Sequence, residues 1–235
     1  MSTGSTPVVM VHGWGGSFAT TWEQGGLPAL LEESGRTVVG VDLLGHGTAP
    51  KPVEPDAYAE LGGRVLDAVA DIDAPIDAVG FSLGALTLLR LASAHPERFG
   101  RLVLAGIGKN VFDRSSSGTE ALIAGLDHLA AGGDASELTT QVRHFVDYAH
   151  QPGNDPAALR ALMAHRGEPI DAAGLAVIDA ETVVVVGDRD FVYPADELVA
   201  ALPNARAVTL RNVDHFATPS AFGLFDVVLE TLAAP

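Results

Sequence analysis

Six short runs of β-branched and other apolar residues occur along the chain, and stretches with helical spacing lie between them. The runs are strand-sized and occupy positions 7–12, 37–41, 76–81, 102–106, 182–187 and 207–213. Helical periodicity is found near 22–34, 57–71, 83–94, 194–202 and 219–232. Runs without polar alternation are typical of parallel strands buried on both faces, which we expect for 7–12 and 37–41. The pattern predicts an α/β fold: a doubly wound, mostly parallel sheet of about six strands, with its site at their carboxyl ends.

One interval, from residue 109 to residue 181, interrupts this alternation. It contains no convincing strand pattern, and helical spacing returns near 119–131, 136–149 and 156–166. A stretch of this length is too long for a simple crossover between two strands. We therefore predict a helical cap inserted at 109–181, with the α/β core formed by 1–108 and 182–235.

Charge and composition narrow the classes of function. The 235 residues include 14 Lys and Arg against 30 Asp and Glu, which gives a net charge of −16, and 47% of residues are hydrophobic. A globular chain this acidic is a poor partner for nucleic acid or for an anionic membrane surface. No apolar run approaches the length of about 18 residues that a transmembrane helix needs. The amino terminus lacks the basic residues of a signal peptide, which favours a cytoplasmic location.

The chain has no cysteine. This excludes a disulfide framework, a thiolate nucleophile and cysteine-based metal centres. We expect the function to need neither a metal ion nor an organic cofactor. No sequence pattern indicates an oligomeric state.

A nucleophile motif follows the third predicted strand. The segment Gly80-Phe81-Ser82-Leu83-Gly84 fits the pattern G-x-S-x-G and opens a predicted helix. Only glycines fit a turn this tight two residues either side of the serine, and the turn holds Ser82 in strained backbone geometry with its hydroxyl above the sheet. The motif predicts Ser82 as a nucleophile.

A serine nucleophile needs a base, and the base needs an acid to orient it. His215 follows the last predicted strand, so it lies at the same edge of the sheet as Ser82, and we predict that it is the base. Asp188 and Asp190 both follow the strand at 182–187. We favour Asp190, since Asp188 comes directly off the strand and more plausibly shapes the turn.

Two backbone amides are candidates for an oxyanion hole. One is the N–H of Leu83, directly after the nucleophile, and the other is the N–H of Trp14, in the glycine-rich turn that follows the first strand. A phosphate-binding loop is the competing interpretation of that turn. However, the turn contains neither G-x-x-x-x-G-K-[ST] nor G-x-G-x-x-G.

Taken together, the motifs resemble those of the α/β-hydrolase superfamily across nearly the whole chain. The matching segments are V-H-G-W-G-G at 11–16, D-L-L-G-H-G at 42–47, G-F-S-L-G at 80–84, G-D-R-D at 187–190 and D-H-F at 214–216. The order Ser82, Asp190, His215 is also the order of that superfamily. The resemblance implies hydrolysis by a Ser-His-Asp triad beneath a cap. A serine at position 82 argues against the branch that uses an aspartate nucleophile.

The expected substrate is a small ester or related acyl compound. We predict a largely apolar pocket, with walls that include Trp14, Phe112, Phe145, Phe191 and Phe216. Lys109 and Arg114, at the predicted cap entrance, are interpreted as solvated charges. Three alternatives remain open: a cofactor-free perhydrolase of the haloperoxidase type, a carbon–carbon bond hydrolase or lyase, and a ligand receptor that retains the triad.

Overall fold

The structure is a computed structural model that describes residues 6–112, 117–165, 167 and 170–233. Its centre is a sheet of six strands in the order β2-β1-β3-β4-β5-β6, in which every neighbouring pair is parallel. The strands are β1 Val8–Val11, β2 Val38–Val41, β3 Ile76–Phe81, β4 Phe99–Ala105, β5 Glu181–Gly187 and β6 Ala205–Leu210. The predicted α/β fold is confirmed.

The strand order reverses direction at β1. The chain moves outward from β1 to β2 and then returns to place β3 on the other side of β1. In open parallel sheets such a switch point leaves a crevice between the carboxyl ends of the two central strands. The turns that follow β1 and β3 therefore lie side by side.

Helices cover both faces of the sheet, and successive strand residues enter different cores. In β1, Val9 and Val11 belong to one buried cluster, and Val8 and Met10 belong to the other. This is the alternation expected of a strand buried on both faces. The helices flanking the sheet are α1 Leu27–Glu33, α2 Gly63–Ala68, α3 Leu83–Ala94, α8 Asp196–Ala201 and α9 Phe222–Leu232.

The prediction that 37–41 is buried on both faces is wrong. Val38 and Val39 are half-buried, Gly40 is exposed, and only Val41 is buried. The reason is position, because β2 is an edge strand that the covering helices only partly overlap. The predicted helix at 22–34 is also divided, since a π-helical turn at Ala19–Glu23 precedes α1.

Between β4 and β5 the described chain forms four α-helices: α4 Ser117–Ala130, α5 Thr140–Ala149, α6 Pro156–Ala164 and α7 Ala172–Ala176. The first three share a separate apolar cluster that also includes Trp14 and Tyr58. The short α7 was not predicted, and its Leu175 packs in the sheet core instead. The limits of the cap remain a prediction.

Within the described residues, no helix combines the length and hydrophobicity that a membrane crossing requires.

Candidate active site

Ser82 lies at the sharp turn between β3 and α3. Its backbone has φ 50° and ψ −110°, outside the regions that non-glycine residues ordinarily occupy. A Cβ on Gly80 would lie 2.7 Å from Ala85 Cα, and a Cβ on Gly84 would lie 2.4 Å from the Val11 carbonyl oxygen. Both neighbours are backbone atoms, so any side chain at either glycine would force the turn apart.

His215 and Asp190 join Ser82 in one chain of hydrogen bonds. The Nε2 atom of His215 is 3.0 Å from the Ser82 hydroxyl oxygen, and its Nδ1 atom is 2.9 and 3.1 Å from the two carboxylate oxygens of Asp190. The imidazole is 4% exposed and Asp190 is 6% exposed. Because a carboxylate only accepts, the Nδ1–H of His215 donates to it, which leaves Nε2 free to accept the serine proton.

The two aspartates after β5 have different surroundings. The Asp190 carboxylate also accepts the backbone N–H of Val192 at 3.0 Å, which fixes its orientation towards His215. Asp188 is exposed and accepts the backbone N–H of Asn212 at 2.7 Å. Of the two sequence candidates, Asp190 contacts His215, whereas Asp188 links the loop after β5 to the loop that contains Asn212.

A buried histidine supports the turn that follows β1. The Nδ1–H of His12 donates to the Gly13 carbonyl at 2.7 Å, and its Nε2 accepts the Leu43 N–H at 3.1 Å. Both ring nitrogens are thus used by a neutral imidazole. Burial lowers the pKa of His12, although the Gly13 carbonyl and the Asp42 carboxylate oppose that shift.

The predicted oxyanion donors belong to the two neighbouring turns. Trp14 follows β1, is buried, and donates its indole N–H to the Leu159 carbonyl of α6 at 3.4 Å. Leu83 is the first residue of α3, where backbone N–H groups have no partner within the helix. The role of their amides remains a prediction.

Aromatic rings surround His215. The ring centroids of Phe191, Phe81, Phe216 and Phe145 lie 4.5, 5.0, 5.7 and 6.2 Å from that of the imidazole. Trp14 contacts Phe145 with centroids 5.9 Å apart. Phe191 remains 41% exposed. Four of the five predicted pocket aromatics therefore gather at this site.

Other sequence expectations have different outcomes. Phe112 packs against the sheet core and is not among the rings around His215. Phe81 was missed as a pocket residue, although its place beside the nucleophile was the available signal. Lys109 is exposed as expected, and Arg114 lies outside the described residues.

In the part of the chain that the structure describes, no group of three or more His, Cys, Asp or Glu side chains could hold a metal ion.

A cavity of about 610 Å³ opens beside the turn that follows β1. Its inner wall includes Gly13, Trp14 and Phe81, and Phe216 reaches it from the other side. Its remaining polar wall consists of Thr20, Thr21, Gln24, Tyr148, Gln151 and Ser220. No sequence motif marked these six residues, since each is isolated in the chain.

Comparisons with known proteins bear on the family and fold of the chain. The family model described as "Alpha/beta hydrolase family" matches residues 8–223. A pimeloyl-[acyl-carrier protein] methyl ester esterase of Neisseria meningitidis serogroup B is 30% identical, over 88% of this chain and 85% of that protein. A 2-hydroxy-6-oxononadienedioate/2-hydroxy-6-oxononatrienedioate hydrolase of Cupriavidus pinatubonensis is 27% identical, over 91% and 82%. The crystal structure of a hydrolase from Pseudomonas aeruginosa PA01 superposes with a TM-score of 0.71 at 25% identity, over 97% and 91%.

Proposed function

Because the chain belongs to the alpha/beta hydrolase family, we propose that it is a serine hydrolase that cleaves a carboxylic ester or related acyl substrate. The observation that carries the proposal is the unbroken hydrogen-bond chain from the Ser82 hydroxyl through His215 to Asp190. Each atom in that chain has the donor or acceptor role that proton removal from serine needs.

The proposed reaction has two steps. His215 takes the proton of Ser82 while the serine oxygen attacks the substrate carbonyl, and the resulting imidazolium returns a proton to the departing alcohol. Water then attacks the acyl-enzyme while His215 takes its proton, and the imidazolium returns that proton to the Ser82 oxygen as the acyl–oxygen bond breaks and the carboxylic acid leaves. Asp190 stabilises the imidazolium, and the backbone N–H groups of Trp14 and Leu83 would hold the oxyanion in both steps.

A small molecule is the proposed substrate. The net charge of −16 makes nucleic acid and anionic lipid surfaces unfavourable partners. The rings around His215 favour an ester with an apolar group on that side of the site.

A carbon–carbon bond hydrolase is the second candidate. Its support is the similarity to the Cupriavidus pinatubonensis hydrolase, which covers 91% of this chain. The name of that relative specifies a dicarboxylate substrate, whereas the described cavity beside Trp14 is lined by no cationic residue. This difference favours the esterase.

The proposal is tested with a fluorophosphonate serine probe and with p-nitrophenyl acetate and butyrate. We expect the probe to label Ser82, and we expect Ser82→Ala to lower kcat by about 10³-fold or more, as in other serine triads. The exposed Ser136 provides a matched control, since Ser136→Ala should leave both readouts unchanged.

Each alternative gives a different result. Full ester turnover by Ser82→Ala would contradict the proposal. Labelling of Ser82 with little ester turnover would favour the carbon–carbon hydrolase. Halogenation that depends on peroxide and acetate would favour the perhydrolase, and a single slow turnover would favour the ligand receptor.

A further inference from the structure

The cavity beside Trp14 has a wall chemistry that differs from the aromatic surroundings of His215. We propose that this cavity binds one half of the ester substrate, that this half is uncharged and carries a hydroxyl or amide group, and that Gln24 and Gln151 select it. The inference rests on the proposed hydrolase function and adds the chemical class of the substrate.

The cavity adjoins the rings that surround His215. Its wall includes Gly13 and Trp14, in the turn that follows β1, and Phe81, the residue before Ser82, whereas Ser82 and His215 are not among its lining residues. The ring centroids of Phe81 and Phe216, which both line the cavity, lie 5.0 and 5.7 Å from that of His215, so the inference requires a substrate half long enough to extend from Ser82 into the cavity. Tyr148, another lining residue, packs closely against Gly15 in the turn that follows β1, since a Cβ on Gly15 would lie 2.9 Å from Tyr148 Cβ.

The two glutamines supply free hydrogen-bonding groups. Within the described residues, neither carboxamide is hydrogen-bonded to another protein group; Gln24 is exposed and Gln151 is half-buried, and each offers two donor hydrogens and an acceptor oxygen. Thr20 is different, because its hydroxyl oxygen already accepts the Ser17 backbone N–H at 2.9 Å. A hydroxyl or an amide on the substrate matches what the glutamines offer.

The same wall disfavours a charged substrate group. None of the lining residues of the described cavity is a Lys, Arg, His, Asp or Glu. A carboxylate or an ammonium bound there would therefore form no direct ion pair with a lining residue. The net charge of −16 adds a further long-range penalty for an anion.

The experiment compares esters that differ only in the group sent towards the cavity. One series keeps p-nitrophenol and varies the acyl half among butyrate, N-acetyl-β-alanine and glutarate. A second series keeps acetate and varies the alcohol half among butanol, N-acetylethanolamine and 3-hydroxypropanoate, with acetate release as the readout. In one of the two series we expect kcat/KM for the amide ester to exceed that for the carboxylate ester by about tenfold or more.

Variants then identify the cavity as the source of this selectivity. Gln151→Lys and Gln24→Lys each place a cation in the wall, so each should raise the carboxylate-to-amide ratio of kcat/KM about tenfold in the selective series. Gln141→Lys is the matched control. It makes the same charge change at an exposed position of α5 that does not line the cavity, and the ratio should change by less than about twofold.

The outcomes separate the inference from the function on which it rests. The same esters are also tested as competitors of fluorophosphonate labelling of Ser82, which compares their access to the site by a readout other than product release. Selectivity that is absent in both series, or that responds equally to Gln141→Lys, would overturn the inference while Ser82-dependent hydrolysis would still support the proposed function. Failure of the probe to label Ser82, together with no turnover of any ester, would instead count against the hydrolase.

Discussion

The two ends of the central sheet each hold a buried polar cluster, and the two clusters have different proposed roles. The cluster at the amino end consists of Arg36, Asp77 and Arg101, and the cluster at the carboxyl end consists of Ser82, Asp190 and His215. Strand β3 contributes to both, with Asp77 near its amino end and Ser82 just past its carboxyl end. Asp77 is 2% exposed, which is comparable with His215 at 4%. Burial alone therefore does not distinguish a structural cluster from a reactive one.

The cluster at the amino end is held by charge-assisted hydrogen bonds between groups of the protein itself. Asp77 accepts from Arg36 at 2.6 Å and from Arg101 at 2.7 Å. Other guanidinium hydrogens go to backbone carbonyls: Arg36 donates to Thr6 and Leu232, and Arg101 donates to Thr231 at 2.6 Å. The cluster thus fastens the start of β1 and the end of α9 to the sheet, and two cations beside that helix end also complement its dipole.

The cluster at the carboxyl end terminates in a hydroxyl. Asp190 and His215 satisfy each other, but the last member of the chain, Ser82, has a proton that His215 can remove. The comparison indicates that a buried ionic cluster stabilises the fold when its members bond only to one another and to the backbone. It can perform chemistry when its last link is a group that reacts with a substrate.

Among the predictions that compare the two clusters, the largest effect we expect is at Asp190. Asp190→Asn should lower kcat by about 10⁴-fold, because a carboxamide can stabilise the wrong tautomer of His215 and cannot balance the imidazolium charge. The midpoint of thermal unfolding should change little. Steady-state ester hydrolysis measures the first quantity and calorimetry the second. Asp188→Asn is the matched control and should remain close to wild type, since Asp188 is exposed and contacts Asn212. Equal losses in the two variants would contradict the assignment.

At the opposite end of the sheet we expect a loss of stability without a loss of chemistry. Asp77→Ala leaves two guanidinium groups unpaired, one of them fully buried, and should lower the free energy of unfolding by about 3–5 kcal/mol. Urea denaturation measures this, and Asp77→Asn serves if the alanine variant does not fold. The folded fraction should retain wild-type kcat.

The exposed pair of Arg160 and Asp127 is the control for that variant. Its geometry is also bidentate, but both side chains are more than 40% exposed, at 42% and 48%. Water already screens such a pair, so Asp127→Ala should cost much less stability. Similar losses in Asp77→Ala and Asp127→Ala would show that the amino-end cluster contributes nothing beyond a surface ion pair.

The residues of the cluster at the carboxyl end could be predicted from the sequence, whereas those of the cluster at the amino end could not. The reason is physical. The turn at Ser82 demands glycines at fixed spacing, and those glycines are visible as a motif. Arg36, Asp77 and Arg101 are far apart in the chain and impose no local backbone geometry. The available signal was Asp77 itself, since a charged residue within an otherwise apolar strand requires a partner.

The positions of the strands in the chain were also predicted better than the contacts between distant segments. The β-branched runs located all six strands, because burial on a sheet selects those residues locally. The edge position of β2 and the glutamines of the cavity depend on how distant segments meet, which hydrophobic periodicity does not encode.

A smaller effect concerns the pH dependence of stability at the carboxyl end. His46 lies with its ring centroid 4.9 Å from that of His12. Burial, together with the electrostatic influence of His12, lowers the pKa of His46 from 6.5 to about 3, against the opposing influence of the Leu44 carbonyl and Asp42. The unfolded chain thus binds a proton near pH 6.5 that the folded protein binds only near pH 3. Stability from this group is complete above pH 6.5 and declines as the pH falls towards 3.

This sign is tested by urea denaturation at pH 7.5 and 5.5. Wild type should lose about 1.4 kcal/mol over this interval through His46, and His46→Gln should lose correspondingly less. His12, whose pKa burial also lowers, adds a loss of the same sign to both proteins. The exposed His150 supplies the control, because His150→Gln should follow the wild-type dependence. An unchanged dependence in His46→Gln would refute the assignment to that residue.

The smallest effect we expect is at Asn154, which links the helices between β4 and β5 to the reactive end of the sheet. Its Nδ2 atom donates to the Gly15 carbonyl at 2.6 Å and to the Tyr148 carbonyl at 2.8 Å. Asn154→Ala should lower kcat about fivefold, because the turn that holds the Trp14 amide loses its outer support. Asn154→Asp should lower kcat at least as much, since a carboxylate faces two carbonyl oxygens without a hydrogen to donate.

The kcat of both Asn154 variants is measured well below the unfolding temperature, with Asn204→Ala, at an exposed position, as control. Wild-type kcat in both Asn154 variants would mean that the turn is held by the sheet alone. In that case the carboxyl end of the sheet, like the Asp77 cluster at the amino end, would hold its geometry without support from the helices between β4 and β5.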